Sequence, residues 1–424
     1  MKRNRIVALL AAAIALIAAA AVIFWAISRK EYKNTAGALA EISGEPIPTE
    51  ESLTVSGQKE TMDQEEKTET GTAGESMEER TRVKGIYVTG PRAGSSSMED
   101  LIQLVDETEL NTMVIDVKND EGQITYKMDL DTARDMGACI NYIPDMETLM
   151  KTLKEHDIYT IARIVCFKDP FLAESYPELA LKKPNGKAVT DANGLAWVNP
   201  YREEVWEYLT QVALEAAKTG FDEVQFDYVR FPIGEDADAA DYGVDLTVSP
   251  KKDAITGFLT YASARLHEKG IPVTADVFGT IIGSQVDVEQ VGQDYAALGS
   301  IVDVLCPMVY PSHYGNHVFG LDVPDAQPYE TVLAALQGSR KELDSMEEKQ
   351  RAVVRPWLQA FTASWVEGHI SYGGAQIREQ IQAVYDAGYE EWILWNAQNR
   401  YSSEGLETED VQNSETAQNQ ETVG

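Results

Sequence analysis

The sequence predicts a (β/α)8 barrel of the TIM type, preceded by a transmembrane helix and a disordered acidic linker, and three observations predict it. Between residues 83 and 401, short apolar segments of strand length alternate with amphipathic helical segments through eight steps. Several of these strands carry apolar residues on one parity, while the other parity turns polar toward the C-terminal end. The stretches on either side of this span are too polar or too uniformly apolar to belong to the same core. An open, doubly wound sheet is the alternative.

The chain begins with a basic segment, Met1–Arg5, and an uninterrupted apolar run, Ile6–Ile27, closed by Ser28-Arg29-Lys30. The run exceeds the ~7–15 residues of a secretory signal core. It suffices to cross ~30 Å of hydrocarbon as a helix. Residues 1–30 therefore read as a signal anchor with the N-terminus inside and the rest exported, a single-pass protein of the cell membrane. The Ala-rich run keeps a cleaved signal as the alternative. Residues 31–82 are rich in Glu, Thr, Ser and Gly and read as a solvated spacer, and residues 402–424 as a second acidic tail. The folded domain is then 83–401.

Strands are expected at Gly85–Thr89, Met113–Lys118, Tyr159–Cys166, Glu223–Asp227, Val273–Phe278, Val302–Val309, Val353–Gln359 and Glu391–Asn396. Helices fit between them, among them Met98–Leu110, Arg202–Thr219, Asp253–Lys269 and Ala375–Ala387. Asn199-Pro200 opens the second of these and Gly220 closes it. No helix is evident after the eighth strand. On the fourth strand Val224 and Phe226 share one face, and Glu223, Gln225 and Asp227 the other. On the second, Met113, Ile115 and Val117 oppose Asp116 and Lys118; on the fifth, Val273, Ala275 and Val277 oppose Thr274 and Asp276. Apolar faces pack on helices, and polar ends face the lumen at the C-terminal mouth, where barrel enzymes place their chemistry.

A formal charge of −33 argues against nucleic acid or anionic lipid as the main partner. Three cysteines make no disulfide framework, and Cys166 and Cys306 lie in apolar runs as small core residues. No His/Cys cluster has metal-ligand spacing, and no Gly-rich phosphate loop follows a strand, so no cofactor is expected.

The candidates at the strand ends are Asp116, Lys118, Arg163, Asp227, Arg230, Asp276, Tyr310, His313, Gln359, Trp395 and Asn396. Two carboxyl groups across one bond are what glycoside hydrolysis needs, one protonated and one ionised. Asp227 and Asp276 end adjacent strands, which lie ~4.8 Å apart, near the ~5–5.5 Å separation of retaining enzymes. They are the expected catalytic pair. Asp116 is held in reserve, with a structural salt bridge to Lys118 as its other reading. Arg163 and Arg230 would hold a carboxylate ionised or pair with acids around the rim. Tyr310, His313, Gln359, Trp395 and Asn396 are expected to contact a carbohydrate, Trp395 by stacking.

At these residues a resemblance appears. The run from Gly220 through Asp227-Tyr228-Val229-Arg230-Phe231-Pro232 resembles the signature of the DUF4015 family of bacterial glycoside hydrolase-like domains. Gly292-Gln293-Asp294, Pro307–Tyr314, Arg355–Phe361 and Leu394-Trp395-Asn396-Ala397 resemble it too, so that the likeness covers about Lys84 to Tyr401. The resemblance implies a barrel of the large glycosidase superfamily without fixing a substrate. The fourth-strand segment is also similar to a chitinase motif that ends in an acid, and Val229 occupies that acid's place, which sends the search for an acid to Asp276. The competing expectation is a barrel that binds wall polysaccharide without cleaving it. A polysaccharide deacetylase would need a metal cluster.

Overall fold

The computed structural model describes residues 80–344, 346–347 and 351–408. The expected membrane segment at residues 6–27, nearly all of the spacer and residues 409–424 lie outside them. Among the described residues no helix is long and apolar enough to cross a membrane.

Eight strands form the core. They are β1 (Lys84–Val88), β2 (Thr112–Lys118), β3 (Tyr159–Val165), β4 (Glu223–Asp227), β5 (Val273–Phe278), β6 (Val304–Met308), β7 (Val353–Val354 and Trp357–Gln359) and β8 (Trp392–Trp395). Each pairs in parallel with the next, and β8 returns to β1. The sheet is closed, which removes the open-sheet alternative. Pro356 splits β7 because it has no N–H to give to the ladder.

Helices α1 (Met98–Asp106), α2 (Met146–Glu155), α3 (Glu203–Lys218), α4 (Lys251–His267), α5 (Tyr295–Gly299), α6 (Pro328–Leu343) and α7 (Gly374–Asp386) follow the first seven strands in turn. In α1, Met98, Leu101, Ile102 and Val105 recur at helical spacing and are the buried residues. Asp145 caps α2 by accepting a hydrogen bond from the Thr148 N–H. No described helix follows β8. The chain stays packed beyond Tyr401: Leu406 is buried, Thr408 bridges to Thr108, and the Glu407 N–H donates to Glu109.

The parity expected from the sequence holds on β4 and β5. Val224, Phe226, Val273, Ala275 and Val277 join the core cluster packed with the helices. The lumen has its own cluster, with Val114, Ile161, Val304, Cys306, Trp357 and Ile393 at its centre. Cys166 and Cys306 are fully buried.

The lumen also holds an ion network. Arg355 donates to Glu223 at 2.6 and 3.2 Å and to Glu391 at 2.8 Å, and all three side chains are almost completely buried. Tyr159 and Thr274 donate further hydrogen bonds to Glu223. Removing one member strands the others as uncompensated charges. Arg355→Leu is therefore expected to cost about 3–5 kcal/mol in urea unfolding. A loss under about 1 kcal/mol, the scale of an exposed pair, contradicts this reading of the network.

Candidate active site

The site begins with an irregularity in β2. Asp116 pairs with Arg163 across the β2–β3 ladder, but Lys118 pairs with Ile164, so Val117 is an extra residue. Such a bulge breaks the side-chain alternation. Lys118 therefore leaves the lumen face to which parity assigned it. Its Nζ pairs with Asp169 at 3.0 Å and donates to the Val165 carbonyl at 2.7 Å. The expected Asp116–Lys118 pair is not made.

The same lysine fixes the next loop. Asp169 lies against Gly122, where a Cβ would come within 2.5 Å of Asp169 Oδ1 and where φ is +78°. Asn119 Oδ1 accepts the backbone N–H groups of Glu121 and Gln123 at 3.2 and 2.9 Å. Between these anchors stands Asp120, one of the residues lining a cleft at the barrel mouth.

Arg163, on β3, organises the carboxylates. Its Nη1 donates to Asp116 at 2.7 Å, its Nε and Nη2 to Asp227 Oδ2 at 2.9 and 2.5 Å, and its Nη2 also to Asp120 Oδ1 at 3.1 Å. The Tyr87 ring lies 5.3 Å from the guanidinium, and its hydroxyl donates to Asp116 at 2.6 Å. Burial pushes the Asp116 carboxyl up to about 6, against the pull of Arg163 and the Tyr87 hydrogen bond. Burial acts on Asp120 in the same direction, but Arg163 and Lys168 together outweigh it and hold that carboxyl below the ordinary range.

Asp227 ends β4, and Tyr228 follows it in the left-handed region at φ +48°. This is an unfavourable conformation for an aromatic residue. It lets the Tyr228 N–H donate to Asp227 Oδ1 at 2.6 Å. Lys168 and Arg230 lie 4.7 and 5.2 Å from the Tyr228 ring. The β4–β5 register runs from Val224–Val273 to Phe226–Ala275, so Asp227 and Asp276 come next on neighbouring strands.

Asp276 does not open on the cleft as the sequence led us to expect. Only 1% of the residue is exposed. Its Oδ1 accepts the Trp357 indole N–H at 2.6 Å, and its buried Oδ2 has no hydrogen-bond partner. Burial first, and then the charge of Asp227, hold its carboxyl well above the ordinary range.

The cleft is narrow: its free space is about 40 Å³, well below the roughly 300–1,000 Å³ common to small-molecule sites. One wall is polar, with Asp120, Arg163, Asp227, Tyr228 and Arg230; the other carries Phe278, Tyr310, Trp357 and Trp395. Of the residues singled out from the sequence, Arg163, Asp227, Arg230, Tyr310 and Trp395 thus meet in one cleft, with Asp116 and Asp276 behind them. His313, Gln359 and Asn396 do not line it. His313 packs edge-on to Tyr310 at 4.9 Å, and burial lowers its ring to about 4. Gln359 ties the loops after β6 and β7 together through Ser312, Asp325 and Phe361. Asn396 donates to the Ala360 carbonyl at 2.6 Å.

Sequence reasoning passed over Asp120, Tyr87, Tyr228 and Trp357. Asp120 was the most accessible of these, since it lies two residues beyond the end of β2. Tyr87 lies on the lumen parity of β1, but an aromatic there reads as core.

A closed eight-stranded parallel barrel with carboxylates at the C-terminal mouth is the class of molecule these observations define. The chain belongs to the DUF4015 family, described as "Putative glycosyl hydrolase domain", whose model matches residues 85–401. Among curated proteins, none matches. A hypothetical protein from Ruminiclostridium thermocellum is 36% identical over 45% of this chain and 97% of its own, with a TM-score of 0.41. The PgaB (BpsB) glycoside hydrolase domain from Bordetella bronchiseptica shares the fold at 13% identity, covering 74% of this chain and 94% of its own with a TM-score of 0.51. A beta-galactosidase from the psychrophilic Marinomonas ef1 does so at 12%, covering 74% and 53%, with a TM-score of 0.50.

The raised Asp116 carboxyl has a consequence for stability. Its folded value of about 6 lies above the ordinary 3.8. The folded state therefore binds this proton more tightly, and the resulting stability is present below pH ~4 and lost as pH rises through ~6. Asp116→Asn cannot ionise. Its stability relative to wild type is expected to improve between pH 4 and pH 7, measured by urea unfolding at both. A difference that stays constant or falls contradicts the raised value.

Proposed function

We propose that the domain hydrolyses a glycosidic bond of an extracellular or cell-wall polysaccharide, held at the membrane by residues 6–27. Co-fractionation of the full chain with membranes tests the anchoring. One observation carries the catalytic reading: two carboxyls at the ends of adjacent strands sit in opposite environments. Asp227 receives three N–H donors, the setting of an acceptor. Asp276 is buried, its carboxyl held well above the ordinary range by that burial and by the charge of Asp227, and its Oδ2 is short of a partner. Pairs of carboxyls driven apart in this way supply the base or nucleophile and the acid of glycoside hydrolysis. Membership of a glycosyl hydrolase domain family supports the same reaction class.

In this reading Asp227 attacks the anomeric carbon or takes the proton of the attacking water. Asp276 supplies the proton for the leaving oxygen. Trp357 and Tyr310 separate it from open solvent, and both line the cleft. Tyr310, whose phenol is raised by burial and by the charges of Asp276 and Asp227, lies within the field of both acids. The aromatic wall takes the apolar face of a sugar ring.

The burial of Asp276 also favours a second reading, a carbohydrate-binding barrel without turnover, because Asp276 does not line the cleft and Val229 stands where a chitinase-type acid would. Asp227→Asn and Asp276→Asn separate the two. Asp227→Asn is expected to abolish turnover while keeping fold and ligand binding. Asp276→Asn is expected to lose roughly 10²–10⁴-fold on a poor leaving group and much less on an activated aryl glycoside. Equal losses on both substrates remove Asp276 from the acid role. No wild-type turnover of any glycoside tested, with binding intact, establishes the binding barrel instead.

A further inference from the structure

Four carboxyls surround the Arg163 cluster, and one of them is open to a ligand. The side chain of Asp120 is 38% exposed, against 11% for Asp227 and 4% for Asp116, while Asp276 is buried. Asp120 Oδ1 and Asp227 Oδ2 share one nitrogen, Arg163 Nη2, at 3.1 and 2.5 Å. Both oxygens therefore face the same small volume. Asp120 Oδ2 accepts from the Tyr228 hydroxyl at 3.3 Å. The loop that carries it is pinned by Asn119, Gly122 and the Lys118–Asp169 pair.

Three cations stand nearby. Arg163 serves three carboxylates. Lys168 is buried, pairs with Asp191 at 3.1 Å and lies over the Tyr228 ring. Arg230 donates to the Phe231 carbonyl and sits 4.5–5.2 Å from the rings of Phe278, Trp197 and Tyr228. The polar wall thus sets the Asp120 and Asp227 oxygens beside the guanidinium groups of Arg163 and Arg230. An ionised carboxylate accepts hydrogen bonds and gives none.

We infer that Asp120 is a substrate-binding carboxylate that accepts a hydrogen bond from a ring hydroxyl or ammonium of the sugar in the cleft. The inference rests on the glycosidase reading. A hydroxyl or ammonium meets a rigid acceptor already in position, and such sites discriminate sharply against analogues lacking the donor.

The test uses the full chain, nitrophenyl glycosides of neutral, 2-amino and uronic sugars, and singly deoxygenated forms of the best substrate. Wild type is expected to turn over at least one glycoside and to lose about 10- to 100-fold in kcat/KM when one particular hydroxyl or the amine is removed, the scale of a hydrogen bond to a charged group. Asp120→Asn and Asp120→Ala should reduce the intact substrate to the level of the deoxygenated one, leaving the latter nearly unchanged. A merely structural role would slow both substrates alike, and that result overturns the inference. It leaves the glycosidase reading standing. No turnover of any member by wild type, with Asp120→Ala also failing to weaken binding of the same glycosides, overturns both.

Discussion

One guanidinium carries the arrangement at the mouth of this barrel. Arg163 projects from β3 between β2 and β4, and its planar fork reaches Asp116 on one side and Asp227 on the other, with Asp120 above. Three carboxylates so close in a space largely closed to water repel one another and would take up protons without a cation among them. A lysine would not replace it, because a point charge cannot send parallel N–H bonds to two strands at once. The differences among the acids follow from where each stands relative to this cation and to solvent. Asp116 is bonded to Arg163 but buried, and remains raised. Asp120 is bonded, has a second cation nearby, and is lowered. Asp276 is fully buried, lies in the field of Asp227 and has no cation bonded to it, and is held well above the ordinary range.

The backbone around this cation departs from regular geometry where the chemistry needs it to. The bulge at Val117 sends Lys118 out of the lumen to Asp169, which keeps a second cation from competing with Arg163 and locks the loop that carries Asp120. At the end of β4, Tyr228 adopts a left-handed conformation that aims its N–H at Asp227 and its hydroxyl at Asp120. Rings and cations around Tyr228 over-determine that conformation, which is how local strain persists at functional sites. Deeper in the lumen, Arg355 repeats the device with Glu223 and Glu391, where it holds strands together and faces no cleft.

Much of this was legible in the sequence because strand parity is a strong signal. The alternation in β4 and β5 placed Asp227 and Asp276 on the lumen side, and eight apolar segments with helices between them gave the closed barrel. Parity misled at Lys118, because a one-residue bulge inverts it and leaves no mark in composition. It also could not show depth: Asp276 faces inward as expected, but the Trp357 indole covers it. His313, Gln359 and Asn396 were placed at strand ends correctly, yet their side chains turn to neighbouring loops, a choice made by hydrogen-bond partners distant in the chain. Asp120 escaped notice because on the second strand the reading stopped at Lys118, whereas barrel chemistry extends into the loop that follows.

The family supplies a reaction class, and the cluster supplies a physical reason why one barrel mouth can hold acids in different states of protonation. That claim depends on Arg163 more than on any carboxylate. The most direct measurement is a carboxyl 13C titration of wild type and Arg163→Met from pH 3 to 9. The account predicts that in the variant Asp116 titrates above its wild-type midpoint near 6, that Asp120 moves up from below the ordinary range, and that Asp276 titrates well above the ordinary carboxylate range in wild type. Midpoints of Asp116 and Asp120 that do not move, or an Asp276 that titrates within the ordinary range in wild type, would contradict it.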